Sequence, residues 1–212
     1  MSHRLRRLFT ALALMLAVAA PAAAEKVVPA TKLLPFFEAY LKLPPAERNH
    51  FTMAYYFHIG TQPLTAPVWL VEGDRRTPVP IGPSGRVERL PTLAQLANGK
   101  FAVGLDTAVK FNVTLSLEPV VAPATELDAR ELAAAIAQAS ASERKAAGIM
   151  ALAMPKMTSV AFVGAGSGEV EFADGRRAPL PLVKGVPTYT PADQPNARRI
   201  RLPRVPDKLD IG

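Results

Sequence analysis

The chain has 212 residues, 49% of them hydrophobic, no cysteine, and a formal net charge of +7. Without cysteine there is no disulfide, thiolate metal site, cysteine nucleophile or lipid-modified N-terminal cysteine, so the fold rests on an ordinary hydrophobic core. Three of the 25 basic residues lie in the first 24 positions; the remaining 22 Lys+Arg against 18 Asp+Glu leave +4, too mild a balance to point to nucleic acid.

Those first 24 residues read as an export leader. Arg4, Arg6 and Arg7 precede an apolar run from Leu8 to Ala20, followed by Pro21 and Ala22-Ala23-Ala24. A basic start, a short apolar centre and a small-residue site define a secretory signal peptide. The run is shorter than the roughly 20 residues a bilayer span requires. Cleavage after Ala24 leaves Glu25 to Gly212, a chain with no membrane span whose expected place is the periplasm.

Across Ala30 to Leu43, the residues Leu33, Leu34, Phe37, Tyr40 and Leu41 fall on one helical face, with Pro35 in the first turn and Pro44-Pro45 as the stop. Phe51 to Ile59 is rich in aromatic and β-branched residues and reads as a strand, and Ala66 to Val71 as a second. Glu72-Gly73-Asp74 then turns the chain into a third strand, Arg75 to Ile81. Its alternate Pro78 and Pro80 remove ladder donors on one side only, which predicts a sheet edge guarded against aggregation. After the turn Gly82 to Gly85 come a short strand, Arg86 to Leu90, and one helical turn, Thr92 to Ala97. From Thr107 to Glu118, Val109, Phe111, Val113, Leu115 and Leu117 alternate with polar residues, which predicts a strand with one buried face and one wet face.

Thr125 is placed to cap an Ala-rich helix that runs to about Ala139. Ser140-Ala141-Ser142 predicts a break, and a further helix follows from Glu143 to Ala153, ended by Pro155. Met150, Met154 and Met157 read as core fillers. Thr158 to Val163 and Glu169 to Ala173 read as strands joined by Gly164 to Gly168. That glycine run lacks the Lys-Ser/Thr ending of a phosphate-binding loop, so a hairpin connection is expected. Asp174-Gly175 turns into Arg176 to Leu182, and an exposed loop leads to Arg198. Nothing near the C-terminus matches the long alternating strand.

The chain writes one motif twice. Arg75-Arg76-Thr77-Pro78-Val79-Pro80-Ile81 is echoed by Arg176-Arg177-Ala178-Pro179-Leu180-Pro181-Leu182, with four identities in seven positions. Arg86 to Pro91 and Arg198 to Pro203 both read Arg-x-x-Arg-Leu-Pro. Two ordered echoes point to a duplicated module. The expected fold class is therefore α+β, in two similar lobes over residues 25–121 and 122–212. Each lobe is a mostly antiparallel sheet with a helical segment; the alternative is a single β-sandwich with helices.

Chemistry is thinly signalled. His50 and His58 are the only histidines beyond the leader, and no Gly-x-Ser-x-Gly elbow accompanies them. Metal-ligand spacings are absent from the sequence. Glu169 and Glu171 share a strand face, the ordinary pattern of a solvated side. The recurring polar feature is the arginine pairs Arg75, Arg76, Arg176 and Arg177. Lobes related by a pseudo-twofold would let one arginine of each pair converge on an anion. The plainer reading is edge protection.

Ala147-Gly148-Ile149-Met150-Ala151-Leu152-Ala153-Met154-Pro155-Lys156-Met157 running into a strand, with Leu90-Pro91 and the Asp174-Gly175 turn, resembles an uncharacterised family of exported proteobacterial proteins, a domain of unknown function. The resemblance implies an exported domain of mixed strand and helix and supplies no catalytic residue. The functional expectation is a non-catalytic envelope protein that binds a protein partner or an anionic envelope component, with no cofactor and no nucleic acid. The alternative is a hydrolase whose site is assembled between the lobes.

Overall fold

The computed structural model describes residues 24–147 and 156–212. The first half contains β1 (Lys26–Pro29), α1 (Ala30–Leu33), α2 (Phe37–Lys42), β2 (Phe51–Ile59), β3 (Gln62–Pro63), β4 (Val68–Glu72), β5 (Arg75–Pro78), α3 (Leu93–Asn98), β6 (Lys100–Val103) and β7 (Asn112–Pro119). The second half contains β8 (Glu126–Asp128), α4 (Ala129–Ala147), β9 (Val160–Val163), β10 (Glu169–Phe172), β11 (Arg177–Pro179), β12 (Leu182–Val183), β13 (Val186–Tyr189), β14 (Ala197–Arg201) and β15 (Lys208–Ile211). The class is α+β, and the strands pair antiparallel in three sheets.

Two of the sheets have four strands, in the orders β1-β6-β4-β5 and β8-β14-β10-β11. The third has seven, β12-β13-β9-β15-β7-β2-β3, and runs through both halves. Its centre is the β7–β15 pairing, registered at Leu117 and Ile211. Both arginine motifs sit on terminal strands, β5 and β11, as their paired prolines predict.

Each four-stranded sheet turns one row of side chains into the core. Val28, Phe101, Leu70 and Thr77 lie across the first. Leu127, Ile200, Val170 and Ala178 lie across the second. Phe101, Ile200 and Val170 are fully buried. One cluster gathers Tyr55, Phe57, Leu70, Leu96 and Phe101 under α1 to α3. The other gathers Leu132, Ile136, Val160, Phe162 and Ile200 around α4. Tyr40 and Leu117 pack against both clusters.

Several local expectations are corrected. The Ala30 to Leu43 helix breaks in two, because Pro35 has no N–H to continue the ladder and Phe36 takes a left-handed φ of 64°. Leu33, Leu34 and Phe37 still face inward. The α4 helix runs unbroken through Ser140 to Ser142, since the Ser142 hydroxyl donates to the Glu47 carbonyl (3.2 Å) rather than to its own backbone. Its N-terminal carboxylate is Asp128, which accepts from the Arg130 N–H at 2.7 Å; Thr125 lies before β8. The expected helix to Ala153, with Met150 and Met154, extends outside the described residues, as does the leader up to residue 23.

The alternating strand begins only at Asn112, because Asp106 turns the preceding segment by accepting the Ala108 and Val109 N–H groups. From there Val113, Leu115 and Leu117 pack against the first cluster, as the alternation predicts. Arg86 to Leu90 makes only isolated bridges, Tyr56 to Arg86 and Ile81 to Val87, so its echo of Arg198 to Pro203 is not a structural match. The expected exposed loop after Leu182 is instead the β12–β13 hairpin, with Pro187, Thr188 and Tyr189 buried. Gly164 to Gly168 links two different sheets and is not a hairpin. Gly164 is needed there, since its φ is +84° and a Cβ would meet the Asp207 carboxylate. A C-terminal strand does exist, and β15 pairs with β7 itself.

Candidate functional site

Three of the four motif arginines are held by near neighbours. Arg76 pairs with Glu25 at 2.5 Å and stacks 4.5 Å from the Trp69 ring centroid. Arg75 points to the other face, into a small cleft with Leu70, Thr77 and Arg89. Arg176 lies 3.9 Å from the Phe172 ring centroid and 3.9 Å from Asp174. Arg177 reaches Glu171 at 3.6 Å. Arginines from the two motifs line no shared cavity among those described.

The outward faces of the two four-stranded sheets differ in chemistry although their registers correspond. On the second, one row reads Glu126, Arg201, Glu169, Pro179 and the next Asp128, Arg199, Glu171, Arg177. Arg201 bonds Glu171 at 2.8 Å and also reaches Glu126, while Arg199 bonds Glu126 at 3.0 Å. Alternating charges across strands satisfy one another in this way. The Arg201 hydrogen bond holds the Glu171 carboxyl below the usual range against a smaller opposing effect of burial, with the charges of Arg201, Arg177 and Arg199 adding to it. A depressed carboxyl stabilises the fold above its unfolded pKa, near 4.5, and loses that contribution as pH falls through its folded value. Glu171→Gln is therefore expected to flatten the acid limb of a plot of urea midpoint against pH. An unchanged limb would show that the ladder is neutral in energy.

The second polar centre lies on the polar face of the seven-stranded sheet, which is covered here rather than wet as the alternation predicts: Ser116 is 4% exposed and Tyr56 9%. Tyr56 and His58 from β2 share that face with Thr114, Ser116 and Glu118 from β7. Gly85 to Val87 borders the free side of β2, where the Phe57 N–H donates to the Gly85 carbonyl and the Val87 N–H to the Tyr55 carbonyl, both at 2.8 Å. That pairing places Arg86 beside Tyr56. The Tyr56 hydroxyl donates to one Glu118 oxygen at 2.5 Å, and Arg86 donates to the other at 3.0 Å. Lys208 sits 5.3 Å from the Tyr56 ring centroid and 3.2 Å from Asp210, whose other oxygen accepts from Ser116.

Burial, with the Glu118 hydrogen bond and charge, pushes the Tyr56 phenol well above its ordinary pKa, so it is a neutral donor. Burial pulls the Arg86 guanidinium down, but the charge and hydrogen bond of Glu118, with Tyr56, together hold it above its usual value. This cluster walls a cavity of about 550 Å³ at the junction of the halves. Arg48 and Asp207 also line it, together with the stretch Pro119 to Pro123. Arg48 donates to the Leu43 carbonyl at 3.2 Å and lies over Tyr40, and it makes no ion pair among the described residues. A separate, almost wholly apolar cleft of about 160 Å³ lies between α2 and α4, lined by Phe36, Leu43, Leu117 and Met157.

Neither histidine enters a nucleophile–base arrangement. His58 stacks on Tyr56 at 6.3 Å, and exposed His50 uses its backbone N–H to bond the Gln138 side chain. Glu169 and Glu171 belong to the charge ladder. Tyr56, Arg86, Glu118 and Lys208 carry no linear motif, and they meet only because three strands of one sheet and the Gly85–Val87 segment that borders it come together. The one available signal was the polar side of the alternating strand, to which Glu118 belongs. Comparison with protein-family models, with curated proteins and with solved structures finds no match.

Proposed function

We propose that this is a non-catalytic, exported envelope protein, built from two duplicated α+β lobes over residues 25–121 and 122–212, that binds an anionic ligand in the junction cavity. Support for duplication comes from the matching strand orders of the four-stranded sheets. The Val79 N–H donates to the Val68 carbonyl at 2.8 Å, and the Leu180 N–H to the Gly168 carbonyl at 2.8 Å. Ala30 opens α1 and Ala129 opens α4, each buried and directly after the first strand of its half. On this reading the pseudo-twofold between the lobes would run through the Leu117–Ile211 pair. Export rests on the leader, and β1 begins one residue beyond the expected new N-terminus, Glu25.

Arg48 carries the binding reading. It is a cavity cation with no carboxylate partner among the described residues, and it lines the same space as the paired cations Lys208 and Arg86. A volume of about 550 Å³ falls within the range of small-ligand pockets. Binding is favoured over catalysis because both Glu118 oxygens are engaged, one by the Tyr56 proton and one by Arg86, so neither group is free to act on a ligand.

Calorimetric titration with inorganic phosphate, citrate and a hexose phosphate tests the reading. At least one is expected to bind saturably, with affinity falling as salt rises. Arg48→Ala should weaken it by about 10-fold or more, the size of one charge-assisted hydrogen bond. Arg176→Ala and Arg177→Ala should leave it unchanged. Indifference to Arg48, or no saturable binding of any of the three, would overturn the assignment.

A further inference from the structure

We propose that the outer face of the first four-stranded sheet docks onto an anionic lipid surface. The face is a flat grid of two rows, Val27, Ala102, Trp69, Pro78 and Pro29, Lys100, Val71, Arg76. The corresponding grid of the second sheet supplies an internal comparison, because it fills those positions almost wholly with charges that satisfy one another. On the first face six of the eight residues are apolar and the other two are basic. Val27 is 53% exposed, Pro29, Pro78, Lys100 and Arg76 are exposed, Trp69 and Val71 are half-buried, and the small Ala102 is buried between its neighbours. The same fold thus folds stably with a polar surface here, and the apolar one is not required to close the sheet.

The chemistry selects the occupant. The face offers apolar area, one indole and two cations, and apart from those cations it has almost no directed hydrogen-bonding side chains. Its backbone groups lie in the plane of the sheet, and those between neighbouring strands are engaged in the ladders. What complements it needs no directional partner, only an apolar layer beneath diffuse negative charge. Tryptophan favours that interface, and basic side chains lay their stems along apolar surface while the heads reach anionic headgroups. Arg76 lays its stem along Trp69 with its guanidinium on the Glu25 carboxylate, so Lys100 is the cation of this face left to reach headgroups without first breaking an ion pair. Among the described residues no helix is long and apolar enough to cross a membrane, so the contact proposed is peripheral.

The test uses the intact chain and two vesicle compositions, phosphatidylglycerol and phosphatidylcholine. The chain has one tryptophan, so emission reports on Trp69 and this face alone. Phosphatidylglycerol vesicles are expected to shift it to the blue and carry the protein down on sedimentation, whereas phosphatidylcholine is not. Each basic residue near an anionic surface is worth about fivefold in partitioning, so Lys100→Glu, a change of two charges, should weaken binding at least tenfold. Val27→Glu should do the same without unfolding the protein, since Glu126 stands at the corresponding position of the second sheet. Arg48→Ala should retain vesicle binding, which separates this face from the cavity.

The proposal is overturned if neither vesicle shifts Trp69, or if Val27→Glu and Lys100→Glu bind as well as the parent chain. A blue shift that grows with protein concentration without lipid would assign the face to a second copy instead and overturn it equally.

Discussion

Replacing Phe101 or Ile200 by alanine is expected to destabilise the protein by about 3–5 and 2–5 kcal/mol respectively, large fractions of any domain's total stability. Both side chains are fully buried, and each occupies the second strand of its four-stranded sheet, in the row that faces the core. Phe101 also meets Phe57 edge-on at 6.0 Å, so its removal leaves an aromatic partner facing a void. Although the two positions lie in different hydrophobic clusters, the seven-stranded sheet is continuous between them. Tyr40 and Leu117 pack on both clusters, so neither can open without exposing surface of the other. Each variant should therefore shift one common transition, followed in urea by far-ultraviolet dichroism and by Trp69 emission. If Ile200→Ala moved the dichroism midpoint but not that of Trp69, the halves would unfold separately and the shared sheet would not couple them.

The readable parts of this sequence were those governed by local chemistry. Phe51–Ile59 forms a strand with the predicted bounds because its side chains serve both a core face and a partly covered outer face. Thr92 and Gln95 close a capping box, which fixes α3 within a residue of its expected place. The alternate prolines of both arginine motifs placed them on sheet edges. Short strands escaped notice where their stability is tertiary. Lys26–Pro29, Lys100–Val103, Glu126–Asp128 and Lys208–Ile211 have three or four residues each, too few for a periodic signal, and exist because a neighbour satisfies their backbone.

The polar site was illegible for a related reason. Tyr56, Arg86, Glu118 and Lys208 are separated by 30, 32 and 90 residues along the chain. Only the pairing of β2 with β7, of β7 with β15 and of Arg86 with Tyr56 brings them to one wall. The arginine motifs suffered the opposite error. Repetition made them conspicuous, yet Glu25 and Trp69 occupy Arg76, Phe172 occupies Arg176 and Glu171 occupies Arg177. A motif written twice reports first on a structural need met twice, here a strand at the edge of a sheet.

Removing the Glu118 carboxylate is expected to have the largest effect of any polar substitution. Its side chain is only 12% exposed and accepts from both Tyr56 and Arg86, whose side chain is 34% exposed. Glu118→Ala leaves a half-buried guanidinium and a buried hydroxyl without their partner, which should cost about 2–3 kcal/mol, toward the lower end for a broken buried pair because Arg86 retains access to water. Glu118→Gln keeps an acceptor for Tyr56 while losing the charge, and about 1–2 kcal/mol is expected. Combining Glu118→Gln with Tyr56→Phe in a double-mutant cycle should give less than the sum of the single effects, since the two groups share one hydrogen bond. The alkaline limb gives an independent measure. The Tyr56 phenol is pushed up by burial and then by Glu118, so the folded state resists ionisation that the unfolded chain undergoes near pH 10. That contribution is fully present below pH 10 and is lost as pH rises beyond it. Tyr56→Phe should therefore make stability fall less steeply above pH 10, and Glu118→Gln should do so in part. Additive energies with an unaltered alkaline limb would mean that Tyr56 and Glu118 are neighbours without being coupled.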